Sequence, residues 1–172
     1  MSDAPKNQPE TSGVSIRRAT LTDAAGIAAL HRHSLRTALP HLPDLHSPEE
    51  DVEFFTGLVR SLDVWLAENE YEMLLGFIAF DEETIQQLYL HPVHQRRGIG
   101  SELLRLAMKT FEGKQLRLWT FQANAPARRF YEKHGFTIER LTDGSGNEEK
   151  EPDVLYVWRG VPDAGEESAT GC

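Results

Sequence analysis

Cysteine is almost missing from this chain: 172 residues carry one, Cys172, at the last position. An intrachain disulfide is therefore excluded. Cys172 is also a poor candidate for covalent catalysis, because the stretch around it, GVPDAGEESATGC, offers no partner base. Long apolar runs are missing too. No stretch reaches the roughly 18 consecutive apolar residues that would span a bilayer, and the opening MSDAPKNQPETSG lacks the apolar segment of a secretory signal. The expectations are a cytoplasmic protein with no membrane contact, disordered over 1–13 and again over 161–172. Basic residues are in short supply: 18 Lys and Arg stand against 27 Asp and Glu, a formal charge of −9. That balance disfavours broad nucleic-acid binding, which needs basic surface, and is compatible with a cationic partner such as an amine. What the chain does have is 40% hydrophobic residues, enough to core one domain of ordinary size over 14–160.

That segment has no internal repeat and no low-complexity stretch. VSIRRAT alternates as a strand does. TDAAGIAALHRHSLRTAL reads as a helix with Thr22 as its cap and Ile27, Leu30, Ser34 and Leu35 at helical spacing. After the proline-rich loop PHLPDLHSPEED, a second helix opens with Ser47 as cap, Pro48 at its first position and acids in its first turn. VWLAEN and EMLLGFIAFD form a hairpin. TIQQLYL, a helix from Gly100, and QLRLWTF make a βαβ unit whose strands should be parallel. APARRFYEKH is a further helix ended by Gly135, and FTIERL and VLYVW are the last strands. The fold class expected is α/β (mixed α+β): a twisted mixed sheet of six to seven strands flanked by about four helices.

Chemistry concentrates in YLHPVHQRRGIGSELLRLAMK, residues 89–109. Leu103, Leu104, Ala107, Met108 and Phe111 form the helix's apolar stripe. Its N-terminus is left at the carboxyl end of the preceding strand, where free N–H groups favour an anion. Glycine lets backbone approach oxygen atoms, and Arg96 and Arg97 add charge. A P-loop is excluded because Ser-Glu follows the last glycine, and a dinucleotide fingerprint because Leu103 stands where a third glycine belongs. A plain tight turn with solvated arginines is the competing account of this turn alone. The second constellation is NAPARRFYEKHGF. Asn124 and Tyr131, seven apart on a helix, share a face about 10 Å from end to end, with Ala127 between them and Phe130 and His134 flanking. A helix cap for Asn124 and a core-edge role for Tyr131 are the plainer alternatives.

Taken together, these two stretches resemble the GNAT superfamily of acetyl-CoA-dependent N-acetyltransferases over about 14–158. Gln95-x-x-Gly98-x-Gly100 is similar to that family's coenzyme A loop, and NAPARRFYEKHGF is similar to its N-x6-Y-x3-GF motif. The resemblance implies several roles. Acetyl-CoA is the acetyl donor, with no metal. The backbone of Arg96, Arg97, Gly98, Ile99, Gly100 and Ser101 holds the diphosphate, next to Gln95. Leu88, Tyr89 and Leu90 run beside the pantetheine arm, and the Leu90 N–H is the candidate oxyanion donor. Asn124 hydrogen-bonds the pantetheine, and Tyr131 protonates the leaving thiolate. The reaction implied is N-acetyl transfer to a small-molecule or peptide amine by direct attack through a tetrahedral intermediate; a homodimer is compatible with it.

The chain departs from the family at Trp119, where some members carry a glutamate base. Asp81, Glu82, Glu83, His31, His33 and the loop NEEKEP stand as alternative bases. A metal shared by His31 and His33 is disfavoured, because residues two apart on a helix face different ways. His41 and His46 are expected in solvent. The run Glu148, Glu149, Glu151 and Asp153 is a candidate for recognising a cationic acceptor. The rival functions are a non-catalytic CoA-binding sensing or interaction module of the same fold and, more remotely, an ATP- or NAD-binding protein.

Overall fold

In the computed structural model of the protein, residues 13–160 are described; of the expected tails over 1–13 and 161–172, all but Gly13 lie outside them, Cys172 included. The elements run β1 (Ser15–Arg18), α1 (Ala24–Ala38), α2 (Pro48–Ser61), β2 (Asp63–Glu68), β3 (Leu74–Phe80), β4 (Thr84–Leu90), α3 (Ile99–Thr110), β5 (Gln115–Phe121), α4 (Ala125–Lys133), β6 (Thr137–Leu141) and β7 (Asp153–Arg159). The seven strands form one sheet in the order β1-β2-β3-β4-β5-β7-β6. Every neighbouring pair is antiparallel except β4 and β5, which matches the βαβ expectation.

The sheet is covered on both faces, and β3 shows why its sequence is almost wholly apolar. Phe77 and Ala79 point into one core with Ile27, Leu30 and Phe55 from α1 and α2. Ile78 and Phe80 point into the other, with Leu103, Leu104 and Ala107 from α3 and Tyr131 from α4. Alternation along the strand thus feeds two cores.

Local chemistry sets the helix starts. Ser47 caps α2 as expected: the Glu50 N–H donates to Ser47 Oγ at 3.2 Å, and the Ser47 N–H donates to Glu50 Oε2 at 2.6 Å. The expected cap at Thr22 is not what forms. A 3-10 turn over Leu21–Asp23 precedes α1, and Thr20 occupies its cap position. The physical reason is Asp23: its carboxylate accepts the Thr20 N–H at 2.7 Å and both outer nitrogens of Arg17 at 2.9 Å. That tightens the turn one residue before α1 begins.

Candidate active site

Between β4 and β5 the ladder contains just two residue pairs, Thr84 with Arg117 and Ile85 with Leu118. Beyond them the strands part, and the carboxyl half of β4 has a partner on one side only, β3. The His91 N–H donates to the Leu75 carbonyl at 2.8 Å. Because successive peptide groups of a strand face opposite edges, Tyr89 turns its backbone groups toward β3, and Leu88 and Leu90 turn theirs into the opening. The Leu88 and Leu90 side chains pack on the α3/α4 core, and the Tyr89 ring lies in the α1/α2 core.

The turn from β4 into α3 is held in an uncommon backbone shape. Gly98 sits at φ 84°, and Arg96, a residue with a side chain, at φ 64°. Left-handed residues alternating with right-handed ones turn successive N–H groups to one side, the geometry of an anion-binding nest. Among the described residues, the N–H groups of Gly98, Ile99, Gly100 and Ser101 donate to no protein acceptor; the first N–H of α3 that does is that of Glu102, to the Gly98 carbonyl at 3.1 Å. Gln95, Arg96 and Arg97 are exposed, and neither arginine has an ion-pair partner among the described residues. Ile99 can offer only its backbone, since its side chain is in the core. At Gly100 a Cβ would come within 3.1 Å of Leu90 Cδ1 and 3.4 Å of Phe130 Cζ, so its bareness lets α3 start close against β4 and α4.

Asn124 caps α4, accepting the Ala127 N–H on Oδ1 at 3.3 Å. That is the plainer of its two expected roles, and it leaves the amide NH₂ without a protein partner among the described residues. Tyr131 is 7% exposed. Burial, and then the neighbouring Tyr89 phenol, push its hydroxyl well above the usual tyrosine range. Tyr89 is pushed up to about 12 by burial and then by the charge of Glu149. Both phenols therefore hold their protons at neutral pH, and the two rings belong to the cores on opposite faces of the sheet.

His31 is one of the alternative bases. It lies edge-on to Tyr89 at 4.6 Å between ring centroids and 5.1 Å from Phe55, and its buried Nδ1 has no hydrogen-bond partner among the described residues. Burial lowers it to about 4. With the folded value below the unfolded one near 6.5, the unfolded chain binds more protons between those values, so stability should rise with pH through that window. We expect acid sensitivity of up to about 3 kcal/mol from this group. The check is thermal unfolding from pH 7 to pH 4 for the wild type and His31→Leu; equal slopes for the two proteins would refute the assignment.

The other candidate bases fall elsewhere. Asp81, Glu82 and Glu83 precede β4, roughly 20 Å from its carboxyl end at strand rise. Asp81 is also occupied by the N–H groups of Glu83 and Thr84 and the side chain of Gln86. Trp119, 43% exposed, lies under the Arg140 guanidinium at 5.3 Å. His33 is exposed and adjoins His91, with 5.2 Å between ring centroids. His41 and His46 are exposed but not free: they meet Glu151 at 3.1 Å and Glu148 at 3.0 Å, joining the loop after α1 to the loop between β6 and β7. Asp153 is bonded by Thr142 and, at 3.0 Å, by Asn147. Of the acid run, Glu149 alone is half-buried and without a partner among the described residues. Sequence reasoning missed two things. One is the clasp of two histidines on two glutamates. The other is the bond from His134 to Ser101 at 2.9 Å; pairs this far apart in the chain leave no local signal.

Comparison with known proteins decides the family. The protein named "Probable N-acetyltransferase Rv2775", from Mycobacterium tuberculosis, is 33% identical over 147 residues, covering 76% of this chain and 84% of its own length. The chain belongs to the GNAT acetyltransferase family. The family described as Acetyltransferase (GNAT) domain matches residues 60–138, which take in β2 to β5, the glycine turn and α4. Among solved structures, apo YjaB from Escherichia coli superposes with a TM-score of 0.70 at 20% identity, covering 86% of this chain and 99% of that one. The PaiA N-acetyltransferase of Thermoplasma acidophilum, solved with coenzyme A, gives 0.68 at 20% identity, covering 85% and 98%. These two likenesses concern the fold. Among the described residues no helix is long and apolar enough to cross a membrane, and no group of three or more His, Cys, Asp or Glu side chains is arranged to hold a metal ion.

Proposed function

We propose that the protein transfers an acetyl group from acetyl-CoA to the amine of a small molecule or peptide, by direct attack and with no covalent enzyme intermediate. The observation that carries this reading is the meeting of two features at one sheet edge. One is the row of N–H groups from Gly98 to Ser101, with two guanidinium groups beside it, all without a protein partner among the described residues, which fits a diphosphate. The other is the opening between β4 and β5, which fits an extended thiol arm. The Thermoplasma relative binds coenzyme A on the same fold.

In this reading the Leu88 and Leu90 backbone groups and the Asn124 NH₂ align the pantetheine amides. The acceptor nitrogen attacks the thioester carbonyl carbon, forming a C–N bond. The resulting oxyanion takes the Leu90 N–H. The C–S bond then breaks, and the thiolate takes the proton of Tyr131. The acceptor's own proton must leave before attack. Glu149 is the carboxylate on the loop between β6 and β7 that has no partner among the described residues and whose charge reaches Tyr89, so it serves as the base that receives that proton or as the anion that holds a cationic acceptor. A cytoplasmic setting belongs to the same proposal, since an acetyl-CoA donor suits it.

The deciding experiment is thiol release from acetyl-CoA against a panel of amines, peptides and aminoglycosides. No release above the buffer rate with every acceptor, together with tight coenzyme A binding, would favour the rival reading of a non-catalytic CoA-binding module, which the tryptophan at position 119 supports. Binding has its own check. Arg97→Glu should weaken coenzyme A about fivefold or more at low salt and less at high salt; unchanged affinity in calorimetry would remove the diphosphate from this turn.

A further inference from the structure

Of the three strand residues beside the proposed pantetheine arm, Tyr89 has no backbone to offer it. Its peptide groups face β3, where it pairs with Phe77. Whatever Tyr89 brings to the opening, it brings through its side chain. The ring is framed by other rings: it lies near-parallel to Phe77 at 6.0 Å and edge-on to His31 at 4.6 Å. Phe55 backs both of these, 5.6 Å from Phe77 and 5.1 Å from His31. A phenylalanine would fill that frame as well as a tyrosine does. The frame leaves the hydroxyl unused. Among the described residues Tyr89 Oη has no hydrogen-bond partner. Among the same residues, the one closed-off side-chain nitrogen or oxygen without a partner is His31 Nδ1. The Tyr89 oxygen is therefore open to solvent, at the tip of a packed ring, although a tyrosine in such a place usually bonds its hydroxyl to the protein.

The surroundings of that oxygen belong to the reaction. The charge of Glu149 reaches Tyr89, and a charge on Tyr89 would reach Tyr131. The phenol thus neighbours both the carboxylate and the acid of the proposed transfer. We infer that Tyr89 is an acceptor-binding residue, whose Oη accepts one N–H of the attacking amine and so aims the nitrogen lone pair at the thioester carbonyl. The inference rests on the acetyl-transfer reading of this site. When the C–N bond forms, a primary amine carries two N–H bonds on its new cationic nitrogen. One stays hydrogen-bonded to Tyr89 Oη. The other breaks, and its proton goes to Glu149. No covalent bond to Tyr89 forms or breaks. A secondary amine has a single N–H at that stage and cannot serve both groups. Tyr89 therefore sets a preference for primary over secondary amines. Its role is opposite in polarity to that of Tyr131: the one accepts from nitrogen, the other donates to sulfur.

The test compares the wild type with Tyr89→Phe on two acceptors: the primary amine acetylated fastest in the panel above, and its N-methyl derivative. Acetylated product is followed by mass spectrometry, so that a slow acceptor is still quantified. The kcat/KM of the variant should fall about tenfold or more for the primary amine and about threefold or less for the N-methyl derivative. Coenzyme A affinity and Tm should stay at their wild-type values, because the ring and the strand pairing are both kept. A general loosening of the site would lower both rates together, so the change in selectivity is a readout that packing alone does not move. Equal losses with the two amines, or no loss with the primary one, overturn the inference and leave acetyl transfer standing. A wild type that binds coenzyme A and acetylates no amine of the panel overturns both.

Discussion

Replacing Tyr131 by phenylalanine should lower turnover about 10²- to 10³-fold while coenzyme A affinity stays within about threefold. The expectation follows from where the phenol is held. The ring packs in the α3/α4 core against Phe130, Phe136 and Tyr156, with centroids 5.3, 5.7 and 6.2 Å away. Phenylalanine keeps all of those contacts, so neither fold nor cofactor groove should change. What is lost is one O–H, which burial keeps protonated at neutral pH. The departing thiolate would then have to leave unprotonated or find water. Steady-state turnover and calorimetric affinity, measured on the same preparation, separate the two effects. Turnover at the wild-type level would mean that another group protonates the thiolate. A matched loss of affinity would mean that the hydroxyl binds the ligand and does no acid chemistry.

Phe77→Ala should strongly destabilise the α1/α2 core. Phe77 is fully buried, edge-on to Phe55 at 5.6 Å and near-parallel to Tyr89 at 6.0 Å. Truncating a buried phenylalanine costs about 3–5 kcal/mol, from lost transfer energy and the cavity left behind. In a domain of this size that should lower Tm by roughly 10 °C. Tyr89, on the strand proposed to run beside the pantetheine arm, would also lose the ring that backs it, so turnover should fall even at temperatures where the variant is folded. Urea unfolding gives the check: a midpoint shift with an unchanged m-value is the expected signature, and a Tm within about 2 °C of the wild type would show that the α1/α2 core does not depend on this ring.

Much of the architecture could be read in advance because it is written in short-range pattern. Ser47-Pro48 followed by acids specifies a helix start wherever it falls, and the reciprocal bonds between Ser47 and Glu50 bear it out. Alternation in the early strands and the length of the β4-to-β5 connection specify an antiparallel hairpin and a parallel pair. The start of α1 was misjudged because Arg17, on a different element, competes for Asp23. Single-residue boundaries of this kind depend on a partner that the local pattern does not contain.

The candidate site divides along the same line. By itself the sequence determined that two glycines and two arginines stand at a strand-to-helix handover, and that an asparagine and a tyrosine share one helix face; both follow from backbone periodicity and the lack of a side chain on glycine. Tertiary structure alone decided that β4 and β5 separate after two residue pairs, that Glu149 is left without a partner among the described residues while Glu148 and Glu151 are claimed by His46 and His41, and that His134 Nε2 lies 2.9 Å from Ser101 Oγ. Each of these depends on groups many residues apart. Their separation and competing partners are set only when the sheet, its two cores and its loops are assembled together.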